Sequence, residues 1–111
     1  MMHFYYQLQD DGTVTPCDME TYAATWPRTR NVAHAEWLDK DIAVSTVFLG
    51  INHAFGDGPP VLFETLVFAK DHPAIDEEME RYCTRDEAIA GHNVMVDTVA
   101  AYLLLHKAAL V

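Results

Sequence analysis

Two strongly apolar runs in the middle of the chain constrain its fold more than any other feature. They read IAVSTVFLG at 42–50 and VLFETLVFA at 61–69, and both are rich in β-branched and aromatic residues, which favour strands. Successive side chains of a strand point to opposite faces of the sheet, and here apolar residues occupy both parities. The pattern predicts two central strands of a sheet that needs cover on both faces.

The segment that joins these runs, GINHAFGDGPP at 50–60, is rich in glycine and proline. It holds none of the glycine patterns that cradle a phosphate, and the Asp57 carboxylate opposes an anion. Glycine permits positive φ and the two prolines stiffen the exit, so a structural turn is the favoured interpretation. A recognition loop that presents Phe55 and Asp57 to a partner is the second.

The N-terminal part is predicted to form a hairpin and a short helix. Residues 3–14 contain an alternating aromatic run and a DDG turn, which is typical of a hairpin. Thr15 followed by Pro16 is typical of a helix start. The pattern therefore predicts a short helix over about 16–25, ended by Pro27.

The second half is predicted to complete the sheet and to cover one face of it. VAHAEWL at 32–38 and MERYCT at 79–84 supply the remaining strands. Thr84 and Glu87 match a capping box, and the apolar residues that follow recur at helical spacing. We therefore predict an α+β fold with a single domain over 1–111: an antiparallel meander of four or five strands, a long C-terminal helix on one face and a short helix near the N-terminus.

The charge of the chain narrows the classes of partner. Seventeen acidic residues against seven basic ones leave a net charge of -10, which repels nucleic acid and anionic membranes. No signal peptide and no bilayer-length apolar run is recognised in the sequence, and the two cysteines have no ligand spacing. We expect a cytoplasmic protein with no cofactor, no direct nucleic-acid partner and no membrane partner. A protein with a basic surface, such as a nucleic-acid-binding protein, fits the charge, although a need for solubility alone would also account for it.

The strand, loop and strand described above resemble a family of small proteins of unknown function from tailed bacteriophages and prophages. The similarity lies in VSTVFLG, the histidine and glycine/proline turn, LFETLVF and RYCTRDEAIAGH, and it runs from about Val44 to His92. The resemblance implies a phage-type origin and expression in a bacterial cell, and it transfers no catalytic residue. It also implies binding to a host or defence component, by analogy with other small phage proteins.

A histidine and glutamate cluster is one candidate site. Glu64 lies inside LFETL, where burial would raise the pKa of its carboxyl group unless a histidine or a backbone donor compensates. With His53 and His92 it could bind a metal or act as a general base, which is the basis of an alternative function as a small metal- or ligand-binding enzyme. Cys17 is expected in the first turn of the short helix, but no adjacent basic residue completes a nucleophile.

The acidic stretch DEEME at 76–80 is the other candidate site. It is either a solvated loop or a patch that imitates the charge of nucleic acid in a basic groove. The leading hypothesis is an accessory protein that binds and modulates or inhibits a host or defence macromolecule. Its expected contact residues are Phe55, Asp57, Asp76, Glu77, Glu78 and Glu80. A homo-oligomeric structural protein, such as a homodimer that covers the second sheet face, is a further alternative.

Overall fold

The computed structural model describes residues 3–54 and 56–109. In chain order the elements are β1 (Tyr5–Leu8), β2 (Val14–Cys17), α1 (Met19–Thr29), β3 (Asn31–Trp37), a 3₁₀ turn (Leu38–Lys40), β4 (Ile42–Phe48), β5 (Phe63–Phe68), β6 (Met79–Tyr82) and α2 (Arg85–Ala109). Strands β3 to β6 form one antiparallel sheet in chain order, and β1 pairs with β2 in a separate hairpin. The predicted α+β class is confirmed.

Helix α2 covers one face of the four-stranded sheet. Every second residue of β4 is buried, from Ile42 to Phe48, and α2 buries Ala88, Met95 and Val99. Removing one large apolar side chain from water contributes about 1.5–3 kcal/mol. This layer between α2 and the sheet therefore supplies the core.

The opposite face of the sheet, called the outer face below, is not covered by α2. Alternation along the strands places there the residues that lie between the buried ones. They are His34 and Glu36 on β3, Ala43, Ser45 and Val47 on β4, Glu64, Leu66 and Phe68 on β5, and Met79 and Arg81 on β6. Helix α1 packs mainly against β1 and does not cover this face.

The N-terminal hairpin lies beside the extension of β4. The Tyr6 N–H donates to the Gly50 carbonyl at 2.8 Å, and the Asn52 N–H donates to the Phe4 carbonyl at 3.0 Å. Strand β1 thus pairs with the residues that follow β4, beyond the point where β3 ends its pairing. This arrangement ties the start of the 50–60 loop to the N-terminal hairpin.

Helix α1 begins later than predicted. Asp18 is its N-cap, and the Asp18 carboxylate accepts a hydrogen bond from the Thr21 N–H at 2.8 Å. The predicted Thr-Pro start lies in β2 instead. Tyr6 pairs with Pro16 across the hairpin, but the Tyr6 N–H donates to Gly50 and not to β2. This pair therefore has no hydrogen bond that would need an N–H at position 16, so the strand tolerates the proline.

Pro27 lies inside α1, although the sequence predicted that the helix would end there. It removes the N–H that would bond to the Ala23 carbonyl. The last turn still closes, because the Arg30 N–H donates to the Trp26 carbonyl at 2.9 Å. The Trp26 indole N–H also donates to the Phe48 carbonyl at 2.8 Å and holds the helix end on the sheet.

Helix α2 begins with the predicted capping box. The Glu87 N–H donates to the Thr84 hydroxyl at 3.1 Å, and the Thr84 N–H donates to the Glu87 carboxylate at 3.0 Å. From Arg85 to Lys107 the helix is long and apolar enough to cross a membrane, contrary to the expectation from sequence, and 22% of its most apolar stretch is buried. A core helix passes the same test, so length and composition are only weak evidence for a span.

Gly91→Ala is expected to destabilise the fold, although alanine is the better helix former. A Cβ at position 91 would overlap the Tyr82 ring and hydroxyl, so Tyr82 must move and lose its hydrogen bond to Thr65. We expect the free energy of unfolding in urea to fall by about 1–3 kcal/mol. In a Tyr82→Leu background the same change should stabilise by about 1 kcal/mol, and an equal loss in both backgrounds would show that the overlap with Tyr82 is not the cause.

Candidate functional site

The first half of the 50–60 loop is held by hydrogen bonds on both sides. The Asn52 side-chain carbonyl accepts from the Ala54 N–H at 2.8 Å and from the Val61 N–H at 3.1 Å. The His53 N–H donates to the Val61 carbonyl at 3.0 Å. These contacts favour the structural turn. Asp57 is exposed at the tip, and the expected contact residue Phe55 lies outside the described residues.

The structure does not bring His53, Glu64 and His92 together. Glu64 lies on the outer face, where its carboxylate accepts from the Arg81 guanidinium at 3.0 Å. His92 is buried on the opposite face, and His53 belongs to the loop. Within residues 3–54 and 56–109, no three histidine, cysteine or acidic side chains are placed to hold a metal ion.

His92 is part of a buried polar layer between α2 and the sheet. Its Nδ1 lies 2.7 Å from the Thr46 hydroxyl, which lies 2.5 Å from the Thr65 hydroxyl. The Tyr82 hydroxyl donates to Thr65 at 3.2 Å. Burial lowers the pKa of His92, with a smaller effect from the charge of His34. The sequence singled out the histidine, but it did not show that Thr46 on β4 would be the partner of its Nδ1.

The acidic stretch divides into a structural residue and an exposed set. The Asp76 carboxylate accepts from the Ala69 N–H at 2.8 Å, so Asp76 closes the connection between β5 and β6. Glu77, Glu78 and Glu80 are exposed and are called the acidic edge below. In the described part of the chain none of these three carboxylates takes part in an ion pair.

The two predicted contact areas lie at opposite ends of the sheet. The loop with Asp57 precedes β5, whereas the stretch from Asp76 follows β5 and leads into β6. Strand β5 has six residues, which span about 17 Å at roughly 3.3 Å per residue. The loop tip and the acidic edge are therefore two separate surfaces.

Cys17 lies in β2 and not in the first turn of α1 as expected. Burial raises the pKa of its thiol, and the Asp18 carboxylate adds to this effect. The cysteine is therefore less suited to nucleophilic chemistry than the sequence suggested.

A cluster of ring side chains at the far end of α2 was not predicted. The His72 Nδ1 lies 3.1 Å from the Tyr102 hydroxyl, and the Tyr102 and His106 rings stack with centroids 5.7 Å apart. His72 and His106, with Trp37 and Leu103, line an open groove of about 660 Å³. The spacing of Tyr102 and His106 is visible in the sequence, but nothing there places His72 beside them.

Comparison with known proteins adds no family assignment to this geometry. No protein-family model matches the chain, and no curated protein and no solved structure matches it. The resemblance to small phage proteins stays a prediction from sequence.

Asn52→Ala is expected to loosen the 50–60 loop. Two backbone N–H groups lose their shared acceptor, so the free energy of unfolding should fall by about 1–2 kcal/mol in denaturant titrations. Asn52→Asp keeps an acceptor oxygen and is the matched control, with an expected change within about 0.5 kcal/mol. If Asn52→Ala unfolds at the same midpoint as the unaltered protein, the loop does not depend on this side chain.

His92 is expected to make the fold sensitive to mild acid. Because burial lowers its folded-state pKa, the unfolded chain binds the proton more tightly. Stability is then complete above the unfolded pKa of about 6.5 and falls as the pH decreases through that value, by at most about 1.4 kcal/mol per pH unit. The measurement is the free energy of unfolding between about pH 8 and about pH 5.

His92→Gln should give a flatter pH profile than the unaltered protein. His106→Gln removes an exposed histidine and is the matched control, which should keep the original slope. Identical slopes for the unaltered protein and His92→Gln would show that this histidine does not control the acid sensitivity.

Proposed function

We propose that this protein is a small acidic accessory protein that binds a basic surface of another macromolecule through its acidic edge. The observation that carries the proposal is that Glu77, Glu78 and Glu80 are all exposed within four consecutive residues and make no ion pair among the described residues. Carboxylates in this state keep their full attraction for lysine and arginine side chains of a partner.

The charge of the whole chain supports the same interpretation. A net charge of -10 produces a field that speeds the encounter with a basic partner and disfavours nucleic acid itself. A groove that normally binds phosphates is the kind of surface that three neighbouring carboxylates fit. The partner would then be a nucleic-acid-binding protein, and occupation of its groove would inhibit it.

Charges on an edge strand also prevent edge-to-edge pairing, and β6 is an edge strand. That role needs charge on β6 itself, where Glu80 and Arg81 lie. Glu77 and Glu78 continue this edge as a bulge opposite Val67: the Glu77 N–H donates to the Val67 carbonyl and the Val67 N–H donates to the Glu78 carbonyl, both at 3.0 Å. Their charges therefore also suit protection of the edge, and the binding measurement below distinguishes that role from a contact surface.

The location, the class of partner and the second contact in the proposal come from the sequence. The bacterial cytoplasm as location, and a host or defence component as partner, depend on the resemblance to phage proteins alone. Phe55 and Asp57 are proposed as a second contact, which only a partner long enough to span β5 could reach together with the acidic edge. The enzyme alternative receives no geometric support, because His53, Glu64 and His92 lie apart.

Neutralising the acidic edge is expected to weaken partner binding at least tenfold at low salt. The variant is Glu77→Gln, Glu78→Gln, Glu80→Gln, and the rough magnitude follows from three rim charges at about 0.5–1 kcal/mol each. The measurement is retention of partners from bacterial lysate, followed by titration of the purified partner at two salt concentrations.

The matched control changes the same net charge elsewhere. Asp10→Asn, Glu20→Gln, Asp97→Asn removes three exposed carboxylates that lie outside the acidic edge. This control should retain binding. Equal losses in both triple variants would show that net charge alone matters, and unchanged binding in the acidic-edge variant would contradict the proposal.

A further inference from the structure

The outer face is more apolar at its centre than a solvated sheet face normally is. Ala43, Val47 and Leu66 line its middle, and Phe68 and Met79 are 53% and 44% exposed. Sequence patterning alone already indicated that both faces of these strands need cover. In the described part of the chain, helix α2 covers one face and no element covers the other.

The outer face has a self-complementary relief. Strand β4 presents only the small or short side chains Ala43, Ser45 and Val47, which form a trough. The neighbouring strand β5 presents Leu66 and Phe68, which form a ridge. The register pairs the small with the large, Ala43 with Phe68 and Ser45 with Leu66.

We propose that a second copy of this chain covers the outer face, related by a twofold axis that runs parallel to β4 and β5 between them. Such an axis places β4 of each copy over β5 of the other. Phe68 of one copy then fills the space above Ala43 of the second copy, and Leu66 fills the space above Ser45. Aligned packing of two sheets about 10 Å apart is a standard arrangement.

The relief of the outer face favours a second copy, and the charges around it set the conditions under which two copies can meet. Two polar contacts lie on the outer face, the hydrogen bond of His34 with Glu36 at 2.6 Å and the ion pair of Glu64 with Arg81 at 3.0 Å. Glu77 lies beside Leu66 and Phe68 at the rim of this face, so two copies of net charge -10 repel each other there, and we expect them to associate when salt screens this repulsion.

The size of the face sets the expected strength. Four strands about 4.8 Å apart and about 20 Å long present roughly 400 Å². This is less than the roughly 800 Å² per partner of a standard stable interface. We therefore expect a reversible dimer that dissociates in the micromolar range or above, and its repulsion should be screened by moderate salt.

The test is sedimentation equilibrium of the full chain from about 5 µM to about 1 mM in about 0.3 M salt. The expected result for the unaltered protein is a monomer–dimer equilibrium. Phe68→Ala removes the ridge and Ala43→Phe fills the trough, so each alone should weaken the dimer at least tenfold. The double variant has the large side chain on β4 and the small one on β5, so the two copies fit together again, and it should recover most of the affinity.

Two controls distinguish loss of this interface from contact through another surface and from loss of folding. Leu104→Glu changes an apolar side chain of α2 that is 71% exposed, and it should leave the dimer unchanged. Circular dichroism and thermal unfolding verify that each variant folds. A protein that is monomeric over the whole concentration range, a dimer lost only with Leu104→Glu, or folded single variants that dimerise normally would each overturn the proposal.

Discussion

The hydrogen bond between His92 and Thr46, which continues from Thr46 to Thr65 and Tyr82, determines how α2 lies on the sheet. Thr46 lies between Val44, in one apolar cluster, and Phe48, in the other, so the polar layer divides the core in two. Apolar packing alone allows small shifts of a helix, whereas a shift here would leave several buried groups without partners. Each such group costs about 1–3 kcal/mol. The layer with Thr65 therefore selects one position of α2 along the strands.

Once α2 is fixed in this position, the rest of the arrangement follows. A single helix layer covers one sheet face. Helix α1 packs on β1 of the hairpin, and the bond from the Trp26 indole to the Phe48 carbonyl ties its end to β4. The outer face is left to solvent or to another chain. The connection from β5 to β6 emerges at the sheet edge, where Asp76 closes it through the Ala69 N–H and leaves the following glutamates exposed.

Local sequence patterns predicted much of this fold, but they did not predict contacts between residues that are distant in the chain. The capping box at Thr84 and the meander involve neighbouring residues, and the structure confirms both. The predicted start of α1 was wrong, because proline fits a strand as well as a helix start at a position where no backbone N–H is needed. The structure does not bring Glu64 and His92 together, because they lie on opposite faces of the sheet. Parity places Glu64 opposite the buried residues of β5, but the sequence does not say which face α2 covers.

The two proposed surfaces respond to salt in opposite directions, and this follows from where the charges lie. Contacts of Glu77, Glu78 and Glu80 with a basic partner are charge-driven and exposed, so added salt weakens them. The outer face has an apolar centre with the Glu64–Arg81 ion pair beside it, so added salt mainly screens the repulsion between two copies of net charge -10. Salt should therefore strengthen contact between copies while it weakens contact with a basic partner. Glu77 lies beside Leu66 and Phe68, and its N–H donates to the Val67 carbonyl of β5, so the acidic edge adjoins the ridge and the two surfaces are neighbours.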